Sequence, residues 1–360
     1  MKPALHIKLL IALLILPLFI SATTEIKNEQ TKTINKTFTV NPNATLKVNN
    51  SYGNINVITW NENKIVFEIK ITASGNNQEY IQKKLNEIDV NFSSTHDLVS
   101  AETKFGKKSS NSWWNWGSNK KIKVKINYII KMPITGKVDL KNNYGNINLD
   151  RLEGHANINC DYGKITTKEL MANNNTINFD YTKGCYFEYI KSGNINADYS
   201  EFTINKTKEI HINADYTSSK IESAEDVTFK CNYGSIKIDR TNNIVGNGDY
   251  LTTIIGDIHA SATLNADYGS IKINRITENA NNVTIKSDYT GIKVGYDYNY
   301  DFNFNINLDY ASLRDSDNLI ITKEIKDGTS KRYKGYHKNQ SSNHNLTIDS
   351  DYGSVTLYKN

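Results

Sequence analysis

The phrase Cys160-Asp161-Tyr162-Gly163-Lys164-Ile165 returns as Ala266-Asp267-Tyr268-Gly269-Ser270-Ile271 and as Ser350-Asp351-Tyr352-Gly353-Ser354-Val355. With Tyr as the mark, it recurs at Tyr144, Tyr162, Tyr181, Tyr199, Tyr216, Tyr233, Tyr250, Tyr268, Tyr289, Tyr310 and Tyr352, with an outlying copy at Tyr52. Steps from Tyr144 to Tyr310 are 17 to 21 residues, and the last, of 42, reads as two steps of 21 around a degenerate copy. A fixed period of about 20 residues signals stacked supersecondary units.

Four residues before Tyr stand Leu140, Ile158, Ile177, Ile195, Ile212, Phe229, Leu264, Ile285, Ile306 and Ile348, with Gly246 the one exception. Two before Tyr the residues are mostly small, as at Cys160, Ala197, Ala214, Cys231, Ala266 and Ser350. A second alternation follows the Tyr, such as Ile236-Lys237-Ile238. Period-2 patterning on both sides of a bend describes strands with one buried and one wet face. A unit this short has no room for a helix. It fits one coil of an all-β, parallel β-solenoid (β-helix) of about a dozen coils spaced about 4.8 Å apart. Parallel crossovers are nearly always right-handed, so a right-handed form is expected. A wide antiparallel β-sandwich is the alternative. The tyrosines share the parity of the inward positions, so their ring bases should be packed and stacked coil on coil; a solvent-facing aromatic ladder for glycans is the other reading.

The chain has 360 residues and a net charge of +5, too small and too evenly mixed to argue for nucleic acid. At the N-terminus, Lys2 and Lys8 precede an apolar run from Leu9 to Ile20 and then Ser21-Ala22, which reads as a cleaved signal peptide over 1–22. The run is shorter than the roughly 20 residues a membrane-spanning helix needs, and no second one follows. The protein should therefore be exported to the periplasm, outer surface or medium, without a transmembrane segment once the leader is removed.

Residues 23–135 differ in kind and read as an α+β cap with one early repeat around Tyr52. Tyr80, Ile81, Leu85 and Ile88 mark an amphipathic helix, and strands are expected near Val90 to Phe92, Leu98 to Phe105 and Lys121 to Lys131. Inside the cap, Lys107-Lys108 and then Trp113-Trp114-Asn115-Trp116 lie among Ser, Asn and Gly. Trp113, Trp114 and Trp116, with Lys107 and Lys108, are candidate contacts for sugar rings or anionic groups; they equally suit a hairpin that seals the coil end. Residues 136–360 form the repeat domain, interrupted at 327–345 by a basic, aromatic insertion read as a solvated hairpin in the place of the missing copy.

The Asp before each Tyr, from Asp161, Asp180 and Asp198 to Asp267 and Asp351, would line one corner. Carboxylates about 4.8 Å apart repel by roughly 1 kcal/mol even in water, so something must compensate. The simpler answer is that each accepts N–H bonds from its own Tyr-Gly turn, aided by lysines such as Lys164, Lys237 and Lys272. The other is a divalent cation, although the double-Gly, second-Asp pattern of Ca²⁺-binding repeats is absent. On the simpler reading Asp161, Tyr162, Gly163, Asp267, Tyr268, Gly269, Asp351, Tyr352 and Gly353 are structural turn residues. Cys160, Cys185 and Cys231 are expected to be free thiols in the core. None of the seven histidines stands in a nucleophile motif, and no P-loop, zinc-protease or dinucleotide fingerprint occurs. No enzyme, cofactor or metal is indicated.

The leader, Asn50-Ser51-Tyr52-Gly53-Asn54-Ile55, the helix-containing cap, Asn143-Tyr144-Gly145-Asn146-Ile147 and the string of Asp-Tyr-Gly-Ser-Ile copies together resemble the bacterial "putative adhesin" family. This is a family of exported β-strand-repeat proteins related to the head domains of predicted surface adhesins, and the resemblance covers nearly the whole mature chain. It implies a non-enzymatic, adhesin-like or scaffolding protein that binds polysaccharide or another envelope component, and it lends no catalytic residues. A periplasmic partner of an envelope-stress or sensory system is the first alternative, and a polysaccharide-active β-helix enzyme the second.

Overall fold

The computed structural model describes residues 28–106 and 122–360. It is nearly all β, its described strands joined in one long sheet. Repeat units pair in parallel with like positions opposite one another. β1 (Asn28–Thr39), β2 (Thr45–Ser51), β3 (Ile55–Trp60) and β4 (Lys64–Gly75) come first, then α1 (Gln78–Glu87), β5 (Ile88–Ser94), β6 (Leu98–Phe105) and β7 (Lys123–Pro133). The helix starts where Asn77 caps it by accepting from the Tyr80 N–H at 2.9 Å. Its only buried residues are Ile81 and Leu85, and Ile88 already has extended backbone, which hands the chain to β5. Antiparallel pairs β1–β4, β4–β7 and β5–β6 build this region.

The repeat around Tyr52 does not stand apart from the others. β2 pairs in parallel with β8 (Lys137–Asn143), setting Val48 opposite Leu140, and β3 pairs with β9 (Ile147–Leu149), setting Ile55 opposite Ile147. On their other side β2 meets β6 and β3 meets β7, again in parallel. β4 to β7, with α1, thus leave the stack after β3 and return to cover its first face.

From there the register is regular. β10 (Ala156–Asp161), β11 (Ile165–Leu170), β12 (Asn175–Asp180), β13 (Cys185–Asp198), β14 (Glu201–Asp215) and the long β15 (Ser218–Asp267) continue the stack. Leu140 faces Ile158, Ile158 faces Ile177, Ile177 faces Ile195, Ile195 faces Ile212 and Ile212 faces Phe229. This is the apolar column four residues before Tyr, and every member is buried. Its exception, Gly246, is explained by its neighbour: a Cβ there would lie 2.1 Å from the Phe229 ring, so the glycine leaves the space that the ring occupies. Beyond β15 come β16 (Ser270–Ile276), β17 (Val283–Asp288) and β18 (Gly291–Tyr296).

The C-terminal part departs from the sequence order. β19 (Phe302–Asp309), β20 (Ser312–Arg314), β21 (Ile320–Asp327) and β22 (Ser330–His337) precede β23 (Asn345–Asp351) and β24 (Ser354–Lys359). β17 pairs with β23 rather than β19, and β23 pairs with β19 on its far side, so Ile348 lies between Ile285 and Ile306. β24 likewise lies between β18 and β20. No degenerate copy separates Tyr310 from Tyr352: the last unit is inserted between the two that precede it. The basic stretch after Asp327 does belong to a hairpin, β21–β22, but only one of its arms is solvated. β22 runs antiparallel along the outer edge of β19 and buries Tyr333 and His337, whereas β21 is exposed throughout.

Cys160, Cys185 and Cys231 are free and buried, as read from the sequence. Burial pushes the Cys160 and Cys231 thiols up to about 12. The glycine after Tyr is fixed by close approach: a Cβ on Gly163 would lie 2.0 Å from the Gly145 carbonyl oxygen, and one on Gly145 equally close to Gly53. Because the obstacle is backbone, Gly163→Ala must force two units apart. We expect a loss of about 2 kcal/mol in urea unfolding.

Candidate functional site: a column of stacked tyrosines

All twelve repeat tyrosines have positive φ, from 48° at Tyr289 and Tyr310 to 63° at Tyr52. The left-handed region disfavours a side chain with a Cβ, at roughly 1–2 kcal/mol per residue. What holds them is the neighbouring unit. The Tyr144 N–H donates to the Asp161 carbonyl at 2.9 Å, Tyr162 to Asp180 at 3.1 Å and Tyr199 to Asp215 at 3.0 Å. At the far end Tyr289 donates to Asp351 and Tyr352 to Asp309, each at 2.9 Å, following the inserted order. Inter-unit pairing therefore runs through the bend without a break.

The left-handed residue also turns its side chain outward, against the parity expectation. From Tyr144 to Tyr310 and Tyr352 each repeat tyrosine is roughly half exposed. Their rings lie parallel, with centroids 5.4 Å apart at Tyr52–Tyr144, 4.9 Å at Tyr144–Tyr162, 4.8 Å at Tyr199–Tyr216 and 4.6 Å at Tyr289–Tyr352. Tyr310 closes the column on Tyr352 at 4.9 Å, and Phe105 meets Tyr52 edge-on at the opposite end. Stacking of the rings from one repeat to the next is as expected; packing of the ring bases into the core is not. Since each interior ring covers its neighbours' faces, a ligand meets ring edges and hydroxyls. Sugar rings cannot stack along the column.

The aspartate column behaves differently from an Asx-turn. The Asp180 carboxylate accepts the Asp198 N–H at 3.1 Å, and Asp198 accepts that of Asp215 at 3.0 Å, so each bonds the next unit instead of its own turn. Lys237 pairs with Asp239 at 3.3 Å rather than with the column. Burial, and then the neighbouring aspartates, push Asp351 up; the same forces on Asp180 are partly offset by its backbone bond. Among the described residues, no group of three or more His, Cys, Asp or Glu side chains is placed to hold a metal ion.

Three residues before Tyr stand Asn159, Asn178, Asn196, Asn213, Asn247, Asn265 and Asn307, interrupted by Lys141, Lys230, Lys286 and Asp349. The sequence reading passed over this interrupted amide column. Asn178 donates to Asn159 at 3.0 Å, Asn196 to Asn178 at 2.7 Å and Asn265 to Asn247 at 2.8 Å. Its signal was the recurrence of Asn at one wet position of the period. Together the columns present phenol hydroxyls, amides and carboxylates about 4.8 Å apart along one face.

The expected turn residues Asp161, Tyr162, Gly163, Asp267, Tyr268, Gly269, Asp351, Tyr352 and Gly353 all fall in this corner. Trp113, Trp114, Trp116, Lys107 and Lys108 lie outside the described residues, as do residues 1–22, expected to be a leader. An open concavity of about 880 Å³ between α1 and β1 is lined by Gln30, Gln78, Glu79, Gln82 and their neighbours, away from the column. Among the described residues no helix is long and apolar enough to cross a membrane.

Fold and site define an all-β repeat protein whose distinguishing surface is a continuous tyrosine column. No family model and no curated protein matches the chain. Among solved structures, a "putative cell adhesion protein" from Clostridium sporogenes is 12% identical over 92% of this chain and 100% of that one, with a TM-score of 0.18. "Putative adhesins" from Parabacteroides merdae (11% identity, 91% and 96% covered, TM-score 0.33) and Parabacteroides distasonis (13%, 74% and 93%, 0.32) also match.

Removing one ring tests the column. Tyr199→Ala loses two stacked neighbours and keeps the strained backbone, so unfolding should cost about 1–2 kcal/mol; Tyr199→Gly, relieved of that strain, should be about 1 kcal/mol less damaging. Burial, then the adjacent phenols and aspartates, hold Tyr162, Tyr199, Tyr268 and Tyr352 above the ordinary 10.0. A raised folded value favours the neutral ring, so its contribution is complete below the unfolded value and disappears as pH rises through the folded one. The melting temperature should fall above about pH 10, with phenolate absorbance appearing later than in the unfolded chain.

Proposed function

We propose that the chain is an exported, non-enzymatic, adhesin-like or scaffolding surface protein. In this reading it folds as a β-solenoid, 1–22 leave as a signal peptide, 23–135 cap the stack and 136–360 carry the repeats. The wet face binds extended polysaccharide or another polar envelope polymer through many weak, evenly spaced hydrogen bonds. The single supporting observation is the unbroken column of twelve tyrosines beside the amide ladder, a surface with one repeat distance along its whole length. Such a face suits a polymer that can run along it, since each contact adds to the next. Trp113, Trp114 and Trp116, between β6 and β7 in the chain, would add a second contact.

Binding of residues 23–360 to a glycan array tests this. Wild type should retain long polymers and not their short oligomers, and Tyr199→Ser with Tyr216→Ser and Tyr233→Ser should weaken retention about tenfold, while Trp113→Ala with Trp114→Ala and Trp116→Ala reports on the loop. Retention unchanged by the tyrosine substitutions would refute the column as the binding face, and shortened polymer products would refute the non-enzymatic reading.

A further inference from the structure

At the C-terminal end of the sheet, β21 is hydrogen-bonded to β22 on one side only among the described pairings. All eight of its residues are exposed, including Ile320, Ile321 and Ile325. Its regular run, Lys323–Asp327, lies beyond a register shift between Ile321 and Lys323 and offers a row of backbone donors and acceptors to another strand. Which groups it offers follows from the hairpin. Asp327 faces Ser330 across the two-residue turn Gly328-Thr329, with Gly328 at φ 57°. That closing pair is hydrogen-bonded, and antiparallel pairs alternate, so Asp327, Ile325 and Lys323 direct their backbone groups toward β22. Lys326 and Glu324 direct theirs outward.

The side chains then decide the partner. Lys323-Glu324-Ile325-Lys326-Asp327 reads plus, minus, apolar, plus, minus. Laid antiparallel on itself about Ile325, Lys323 opposes the partner's Asp327, Glu324 opposes the partner's Lys326, and Ile325 opposes its own copy. Every charged pair is opposite in sign, and the outward groups of Glu324 and Lys326 bond each other. Centring the two-fold on Lys323, Glu324, Lys326 or Asp327 instead sets a charge on its own copy, and the register shift between Ile321 and Lys323 ends the regular run there, so within Lys323–Asp327 one register is selected. We propose that β21 pairs antiparallel with β21 of a second copy about a two-fold axis through Ile325, joining two sheets into one.

The edge lysines serve two ends here. Lysine on an edge strand deters unrelated strands, yet in this register each lysine meets a carboxylate. In the single chain Lys326 and Glu324 already pair along the same face at 2.8 Å, so both side chains are held where the partner's would meet them.

Sedimentation of the full mature chain should show a dimer forming with concentration up to about 100 µM. Lys323→Glu with Lys326→Glu makes the edge acidic, and Glu324→Lys with Asp327→Lys makes it basic. Each variant alone should stay monomeric at that concentration, and their equimolar mixture should dimerise. A two-fold contact also brings the two copies of position 325 together as a non-hydrogen-bonded pair, so Ile325→Cys should crosslink on mild oxidation while Lys323→Cys does not. The native cysteines are buried and stay out of this reaction. A wild type that remains monomeric, a dimer that survives either charge reversal, or a mixture that fails to associate would overturn the proposal.

Discussion

Parallel pairing that keeps like positions opposite one another, broken only by a shift between Ile273 and Ile276 among the described repeats, is the constraint on which the rest of the molecule depends. It places each residue on its counterpart one unit away, so any property of one position becomes a property of a column. Branched apolar residues gain by this, since Ile158, Ile177 and Ile195 pack on their own kind. Charges lose by it, and the column of aspartates before Tyr is eased where a carboxylate meets a donor of the next unit, the backbone N–H for Asp180 and Asp198 and the Asn232 amide for Asp215. Tyrosine is the unusual member: its backbone is forced into a costly region, and the ring stacks that this region permits run the length of the protein. The strain and the stacking are two sides of one choice.

Much of this was legible in the chain. The apolar position four before Tyr, the small position two before it and the glycine after it are set by requirements that repeat, and repetition makes a weak local preference readable. Even the outlying Tyr52 could be recognised as a unit. Two things were hidden for physical reasons. Parity counting assumes extended backbone at every residue, and a left-handed Tyr breaks the alternation, so the ring faces water when the count says core. Stacking order was also hidden, because a unit has two equivalent faces and carries no mark of which neighbour it will take. The 42-residue step from Tyr310 to Tyr352 looked like a lost copy and is the length of chain needed to travel around β19 and return inside it.

The candidate site divides in the same way. Asp161, Tyr162 and Gly163 and their equivalents were read as residues of a self-contained turn, but Asp180 and Asp198 bond the next unit, and the surface formed there, with ring edges outward and amides alongside, follows from stacking geometry that one unit cannot reveal. The Asn column was in plain view and carried no chemistry until its members were seen bonded to each other.

The inserted final unit has a consequence for assembly. A stack that grows by adding each unit to the last can proceed through the Tyr289 unit, but the Tyr310 unit, though next in the chain, has no face to settle on. Its place against the stack is taken by residues 345–359, which lie between it and the Tyr289 unit. That stretch acts as a keystone: two units that are neighbours in the chain are joined only through a segment that follows them both.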